Sequence, residues 1–248
     1  MTISLAIPTY NSSKYFWDCI KTALMSDFIS EIVVHDDNSE WSEYLNMFEL
    51  SAKINTDKIK IYRATHNEKA FINKYMAVSK CTNEWVYLFD SDNWFDDPIL
   101  EVISKLDLSK KDTCYHVKEL HMTDGNIVKF DYENNSLDLP VAKENIKNST
   151  NNIEWILNTG NFIVNKDTYL RSQADAVESL RNSDGRYKNP KGADVLLFSY
   201  CWYMHGNRYE PVDGFYHHHR IRPGNYFVEE MDYNMALVRE YLDKILTL

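Results

Sequence analysis

Glycine is scarce in this chain, with seven residues among 248. The first apolar run is followed by Pro8-Thr9-Tyr10-Asn11, so a glycine-rich phosphate cradle behind the first strand is excluded. Cysteine is sparse too. Cys19, Cys81, Cys114 and Cys201 are widely scattered and form no CxxC pair. That spacing argues against structural zinc and a disulfide framework, and points to a reducing, cytoplasmic setting. Basic residues are outnumbered, 27 Lys and Arg against 37 Asp and Glu, giving a formal net charge of −10. A phosphate backbone needs a basic surface, so nucleic acid is not expected as a partner. An anionic ligand would need local help from a metal, a helix N-terminus or a few placed cations. No apolar run reaches the ~18 residues of a membrane span, and the N-terminus lacks the basic start and length of a signal peptide. No transmembrane segment is expected; peripheral membrane association and oligomerisation stay open.

Apolar and aromatic side chains are plentiful, at 44% and 14% of residues, enough to bury a sizeable core. The length fits one continuous α/β domain, 1–248. In its first half, 1–110, strands are expected at 2–7 (stopping at Pro8), 32–34, 58–63 and 85–89. Helices are expected from a Ser12 or Ser13 cap to Met25, over 40–53 and over 69–80. This β-α alternation predicts a mostly parallel sheet covered by helices on both faces. In the second half, 111–248, strands are expected at 113–117 and 127–131 around an Asp124-Gly125-Asn126 turn. A loop is expected over the Asn- and Asp-rich 132–152, helices over 192–205 and 229–247, and a turn at 223–226.

Asp90-Ser91-Asp92 lies directly behind the apolar run Trp85–Phe89. A strand relaxing into a loop can aim residues i and i+2 at one ion. Hard divalent cations take such carboxylates together with substrate phosphates, and open α/β sheets bind ligands at the carboxyl ends of their strands. Alone, the tripeptide reads more readily as a solvated turn than as a metal site. Asp36-Asp37-Asn38-Ser39 behind Ile32-Val33-Val34 is a second acidic strand end, suited to accepting from a base N–H or ribose hydroxyls, or to an Asx-type turn.

Together, Ile7-Pro8-Thr9-Tyr10-Asn11, Glu31 to Ser39, Asn67 to Val78 and Leu88 to Asn93 resemble, in order and spacing, the family 2 glycosyltransferases. The resemblance covers about the first hundred residues well and runs more loosely to about residue 225. It implies a GT-A-like fold and an inverting, metal-dependent sugar transfer from a nucleoside-diphosphate sugar, most often UDP-linked. It also implies site roles. Pro8, Thr9, Tyr10 and Asn11 would lie against the nucleotide, and Asp36 and Asp37 would read the base or ribose. Asp90, Ser91 and Asp92 form the metal motif, with Asp92 the more direct ligand of Mn²⁺ or Mg²⁺. Lys74 stands where the family usually has an Arg near the diphosphate, and keeps the charge without the bidentate fork. Asp194 matches the acid of the family's Glu-Asp pair that serves as general base; the Glu is Ala193 here. His219 and then His217, from the run His217-His218-His219, are candidates to complete the metal shell. Arg220 and Arg222 would hold the diphosphate. Trp155, Asn158, Thr159, Gly160 and Asn161 resemble the acceptor-facing segment, although Trp155 reads equally as core. The acceptor would be a glycan, lipid-linked or protein-linked hydroxyl. Two rival readings are a non-catalytic sugar- or nucleotide-binding module on the same fold and a metal-dependent sugar-phosphate nucleotidyltransferase; the missing glycine-rich loop weighs against the second.

Overall fold

The structure is a computed structural model and describes residues 2–130, 132, 136–190, 193–221 and 231–248. The sequence folds as α/β alternation demands. Strand β1 (Ile3–Thr9) is buried along its whole length and leads into a single 3₁₀ turn (Ser13–Tyr15) and helix α1 (Phe16–Met25). Then come β2 (Ile29–Asp36), α2 (Trp41–Ile54), β3 (Ile59–Arg63), α3 (Ala70–Lys80), β4 (Trp85–Leu88) and α4 (Asp97–Ser104). β5 (Thr113–Met122), β6 (Ile127–Lys129), α5 (Leu139–Asn148), the short α6 (Ile153–Ile156), β7 (Phe162–Asn165) and α7 (Lys166–Leu180) follow. The described chain ends with α8 (Asp194–Met204), β8 (Arg208–His219) and a last helix, α9 (Met231–Thr247).

The sheet runs β3-β2-β1-β4-β7-β5-β6, with β8 paired to β5. β1 is parallel to β2 and β4, and β2 to β3. β7 is antiparallel to both β4 and β5, and β8 is parallel to β5 from Thr113↔Arg208 to Met122↔His219. The parallel order brings the carboxyl ends of β1, β2 and β4 to one edge, where Thr9, Asp36 and Phe89 emerge.

Several expected boundaries shift for identifiable reasons. β1 continues through Pro8 to Thr9, because its ladder to β4 ends at Ala6↔Leu88 and the missing proline N–H is not needed on that side. Neither Ser12 nor Ser13 caps α1 through its side chain. The Ser12 hydroxyl bonds those of Thr9 and Ser91, each at 2.8 Å. The expected loop at 132–152 contains α5, started by Asp138, whose carboxylate accepts from Val141 N, with proline in the first turn. β5 is longer than expected and β6 shorter. The expected 223–226 turn, Gly192 and residues 229–230 lie outside the described residues.

Helix α8 is apolar around most of its circumference and is buried accordingly. Phe198 stacks on Phe162 with centroids 4.5 Å apart, and Trp202 donates its indole N–H to the Arg208 carbonyl at 2.9 Å. Burying side chains of this size contributes roughly 1.5–3 kcal/mol each. The packing seats the N-terminus of α8, and with it Asp194, against α3.

At the opposite edge, Glu31 ties four segments together. It accepts from Ser4 Oγ (2.5 Å), Thr82 N (2.5 Å), Asn83 N (3.4 Å) and Lys60 Nζ (2.9 Å). Burial works against its charge, but the bonds from Ser4, Thr82 and Lys60 outweigh it and bring the carboxyl down from 4.5 to about 2. A depressed carboxyl stabilises the fold fully above its unfolded value, and that stability is lost as pH falls through the folded value. At 1.36 kcal/mol per unit, the contribution is about 3 kcal/mol. Denaturant unfolding from pH 7 to pH 2 is expected to show an acid-induced loss about 3 kcal/mol smaller in Glu31→Gln than in the wild type. Equal acid limbs would refute the assignment.

Candidate functional site

The site is assembled from four strand ends. Behind β1, Tyr10 is half-exposed and Asn11 takes a left-handed φ of 48°. The Asn11 N–H donates to Ser39 Oγ at 2.9 Å, and its side-chain oxygen accepts from Glu40 N at 2.9 Å. The loops after β1 and β2 are thereby stapled together.

Asp36 and Asp37 are both buried. Asp36 pairs with Arg63 at 3.3 Å and accepts from Ser39 N. Asp37 accepts from Glu68 N (2.6 Å) and Lys69 N (2.9 Å), which fixes the loop before α3. Lys69 holds a positive φ of 76° there, a strained backbone that the carboxylate bonds keep in place. Burial pushes the Asp37 carboxyl up to about 6, against the two backbone N–H bonds; Glu68 adds to the rise. Asn73 completes this corner, accepting from His35 Nδ1 (2.7 Å) and donating to Thr9 O (3.2 Å). Nothing in the sequence marks Asn73 or Arg63, because their partners lie on other strands.

Behind β4, the Asp90-Ser91-Asp92 loop is held from two sides. From β7, Asn161 accepts from Asp90 N at 2.7 Å and turns its amide nitrogen to His217 Nε2 at 3.0 Å. Asn161, expected on the acceptor side, is fully buried and holds the Asp90 backbone through its side-chain oxygen. His217 is fully buried as well. Burial, with help from the neighbouring imidazoles of His219, His116, His218 and His121, holds it far below the usual histidine range. Its Nε2 accepts from the Asn161 amide, whereas its buried Nδ1 has no hydrogen-bond partner. From the end of β8, Trp94 N donates to His218 O and His218 N to Trp94 O, at 3.3 and 2.9 Å. Arg220 donates its N–H to Asn93 Oδ1 (3.0 Å) and its Nε–H to the Asp92 carbonyl (2.9 Å). The guanidinium lies over the Tyr15 and Trp94 rings at 4.4 and 4.7 Å. His218 stacks on Trp94 and pairs with Asp96 at 2.6 Å. Arg222 lies outside the described residues.

Lys74, one turn into α3, reaches between two acids. Its Nζ is 2.7 Å from Asp194 Oδ2 and 3.4 Å from Asp90 Oδ1. Burial opposes its charge, but Asp194 and Asp90 hold the ammonium above the usual lysine range. Gly160 is pressed against this group. A Cβ there would lie 2.9 Å from Asp90 Oδ2 and 3.0 Å from Lys74 Nζ. The neighbouring segment is supported by His116, whose Nε2 faces the Thr159 carbonyl at 3.3 Å, and by Thr159 Oγ1, which donates to Trp155 O at 2.8 Å. Trp155 is 47% exposed, which removes it from the core, and Asn158 is half-buried beside it.

Among the described residues no three His, Cys, Asp or Glu side chains converge as a ready metal cage. Asp90 and Asp92 carry hard carboxylate oxygens, and His217 Nδ1 and His219 Nδ1 are both buried with no hydrogen-bond partner. Mg²⁺-like ions take one or two carboxylates and draw the rest from phosphates and water.

The family model described as "Glycosyl transferase family 2" matches residues 4–169. A search of curated proteins finds no match. Among solved structures, S. aureus TarS residues 1–349 in complex with UDP-GlcNAc superposes with a TM-score of 0.68 at 19% identity, over 99% of this chain and 70% of that one. The same S. aureus TarS fragment in complex with UDP gives 0.63 at 20% identity, over 99% and 70%. At such identities the likeness establishes the fold, a GT-A-like α/β sheet. No helix among the described residues is long and apolar enough to cross a membrane.

Proposed function

Because the chain belongs to glycosyl transferase family 2, we propose that it transfers a sugar, with inversion, from a UDP-sugar to the hydroxyl of a glycan, lipid-linked or protein-linked acceptor. The observation that carries this reading is the pair of carboxylates, Asp90 and Asp194, brought to one lysine at the carboxyl ends of parallel strands. The buried Asp36–Asp37 corner stands beside them.

In this reading Pro8 to Asn11 with Asp36 and Asp37 hold the nucleoside. Asp92 and Asp90, with His219 as a further candidate, would hold a divalent ion, which when bound offsets negative charge on the departing diphosphate. Lys74 faces the same diphosphate, and Arg220 stiffens the loop beneath it. Asp194 accepts the proton of the acceptor hydroxyl. The acceptor oxygen forms its bond to the anomeric carbon from one face while the carbon–oxygen bond to the diphosphate breaks on the other. The electron pair leaves on UDP, so one displacement inverts the centre. Trp155 and Asn158 offer an aromatic face and an amide to the acceptor.

The test is calorimetric titration of the full chain with the nucleoside diphosphates. UDP is expected to bind in preference to GDP and ADP. Its affinity is expected to fall as pH drops through about 6, because protonating Asp37 weakens the charge-assisted bonds that set the Glu68–Lys69 loop. Asp37→Asn is expected to bind more weakly at pH 7.5 and to lose that pH dependence. Absence of UDP binding by the folded protein would overturn the reading.

A further inference from the structure

Cations at the strand ends have unequal commitments. Arg63 is fixed on Asp36 and donates to the Ser39 carbonyl at 2.6 Å. Arg220 is fixed on the Asp92 carbonyl between two aromatic rings. Lys74 is shared, with one ammonium, 13% exposed, serving Asp194 at 2.7 Å and Asp90 at 3.4 Å. A diphosphate arriving at Asp90 brings more negative charge to the same ammonium. The Asp194 oxygen is turned to Lys74, where an acceptor hydroxyl would have to compete for it.

We infer that Lys74 is a coupling residue: it covers Asp194 and passes to the donor's diphosphate when that binds, so that donor binding uncovers the acceptor-side carboxylate. The inference rests on the reading of Asp194 as base and of a UDP-sugar as donor. Lysine suits this work better than arginine. Its ammonium is a compact charge on a flexible stem with rotatable donors, whereas a guanidinium fork favours one fixed bidentate partner. The consequence is an order of events in which an acceptor meets an available base only beside a bound donor.

Coupling of this kind is reciprocal. If the diphosphate and Asp194 compete for one ammonium, removing the charge of Asp194 must help the diphosphate. UDP affinity is to be measured by calorimetry on the full chain as wild type, Asp194→Asn, Lys74→Met and the double variant, at one pH, salt and Mg²⁺ concentration. Asp194→Asn is expected to bind UDP about tenfold more tightly than the wild type, within the ~5–150-fold range of site-to-site coupling. Lys74→Met and the double variant are expected to bind UDP equally. A purely structural Asp194 would not tighten binding, and a general loss of negative charge would tighten it in both backgrounds; either result overturns the inference. If Asp194→Asn does not fold, Asp194→Ser, which keeps a favoured helix-start residue, makes the same comparison. UDP bound equally by all four proteins overturns the coupling and leaves the donor reading intact. UDP bound by none of them, all folded, overturns both.

Discussion

Asp194→Asn is expected to lower sugar transfer by ~10²–10⁴-fold, the usual contribution of a positioned general base, without loss of UDP binding. The amide matches the carboxylate in size and can still accept from Lys74 Nζ, now 2.7 Å away, but it cannot take a proton. Steady-state kinetics should place the loss in kcat, and calorimetry should find UDP still bound. Wild-type rates in the variant would remove Asp194 from the chemistry and leave it as a favourable acid at the start of α8.

The second large effect is expected at Gly160. An alanine Cβ would come within 2.9 Å of Asp90 Oδ2 and 3.0 Å of Lys74 Nζ. Both atoms end side chains that can swing, so the fold survives and the site yields. Gly160→Ala is expected to melt within a few degrees of the wild type and to transfer sugar about 10²-fold more slowly, the scale of loss from a displacement of about 1 Å at a reacting centre. An unchanged rate would show that the Asp90–Lys74 geometry is not needed for turnover, and a large fall in melting temperature would make Gly160 a packing residue instead.

The parts of the fold that could be read from the sequence were those carried by periodicity and punctuation. β1 to β4 and the helices between them follow their apolar patterns, and the acidic strand ends at 36–37 and 90–92 stand where those patterns stop. α5 escapes because Lys, Glu and Asn fill its exposed positions and hide its apolar ones; Asp138 with Pro140 was the available signal. β8 escapes because Pro211 and Gly214 read as breakers, yet the strand passes through both with a register shift opposite Val117 and Glu119. The site divides in the same way. Asp90, Asp92 and Asp194 can be nominated from local motifs. The bridge between Asp90 and Asp194 cannot, since Lys74 and Asp194 are 120 residues apart. Nor does the sequence show that the Asn161 amide is spent on the Asp90 backbone and His217. A buried asparagine and a ligand-facing one have the same letter, and only packing separates them.

The strap from β8 to the Asp90–Trp94 loop also sets a schedule for synthesis. Asn93 and Asp92 wait for Arg220, 127 and 128 residues further along the chain. At roughly 5–20 residues per second, a nascent chain holds the finished β1–β4 ladder for on the order of ten seconds before the residues that fasten the Asp90–Trp94 loop exist. That loop is therefore a late and non-local piece of a sheet whose first half is built from near neighbours, so a ribosome-bound intermediate would have its Asp36–Asp37 corner formed and its Asp90–Trp94 loop still unfastened.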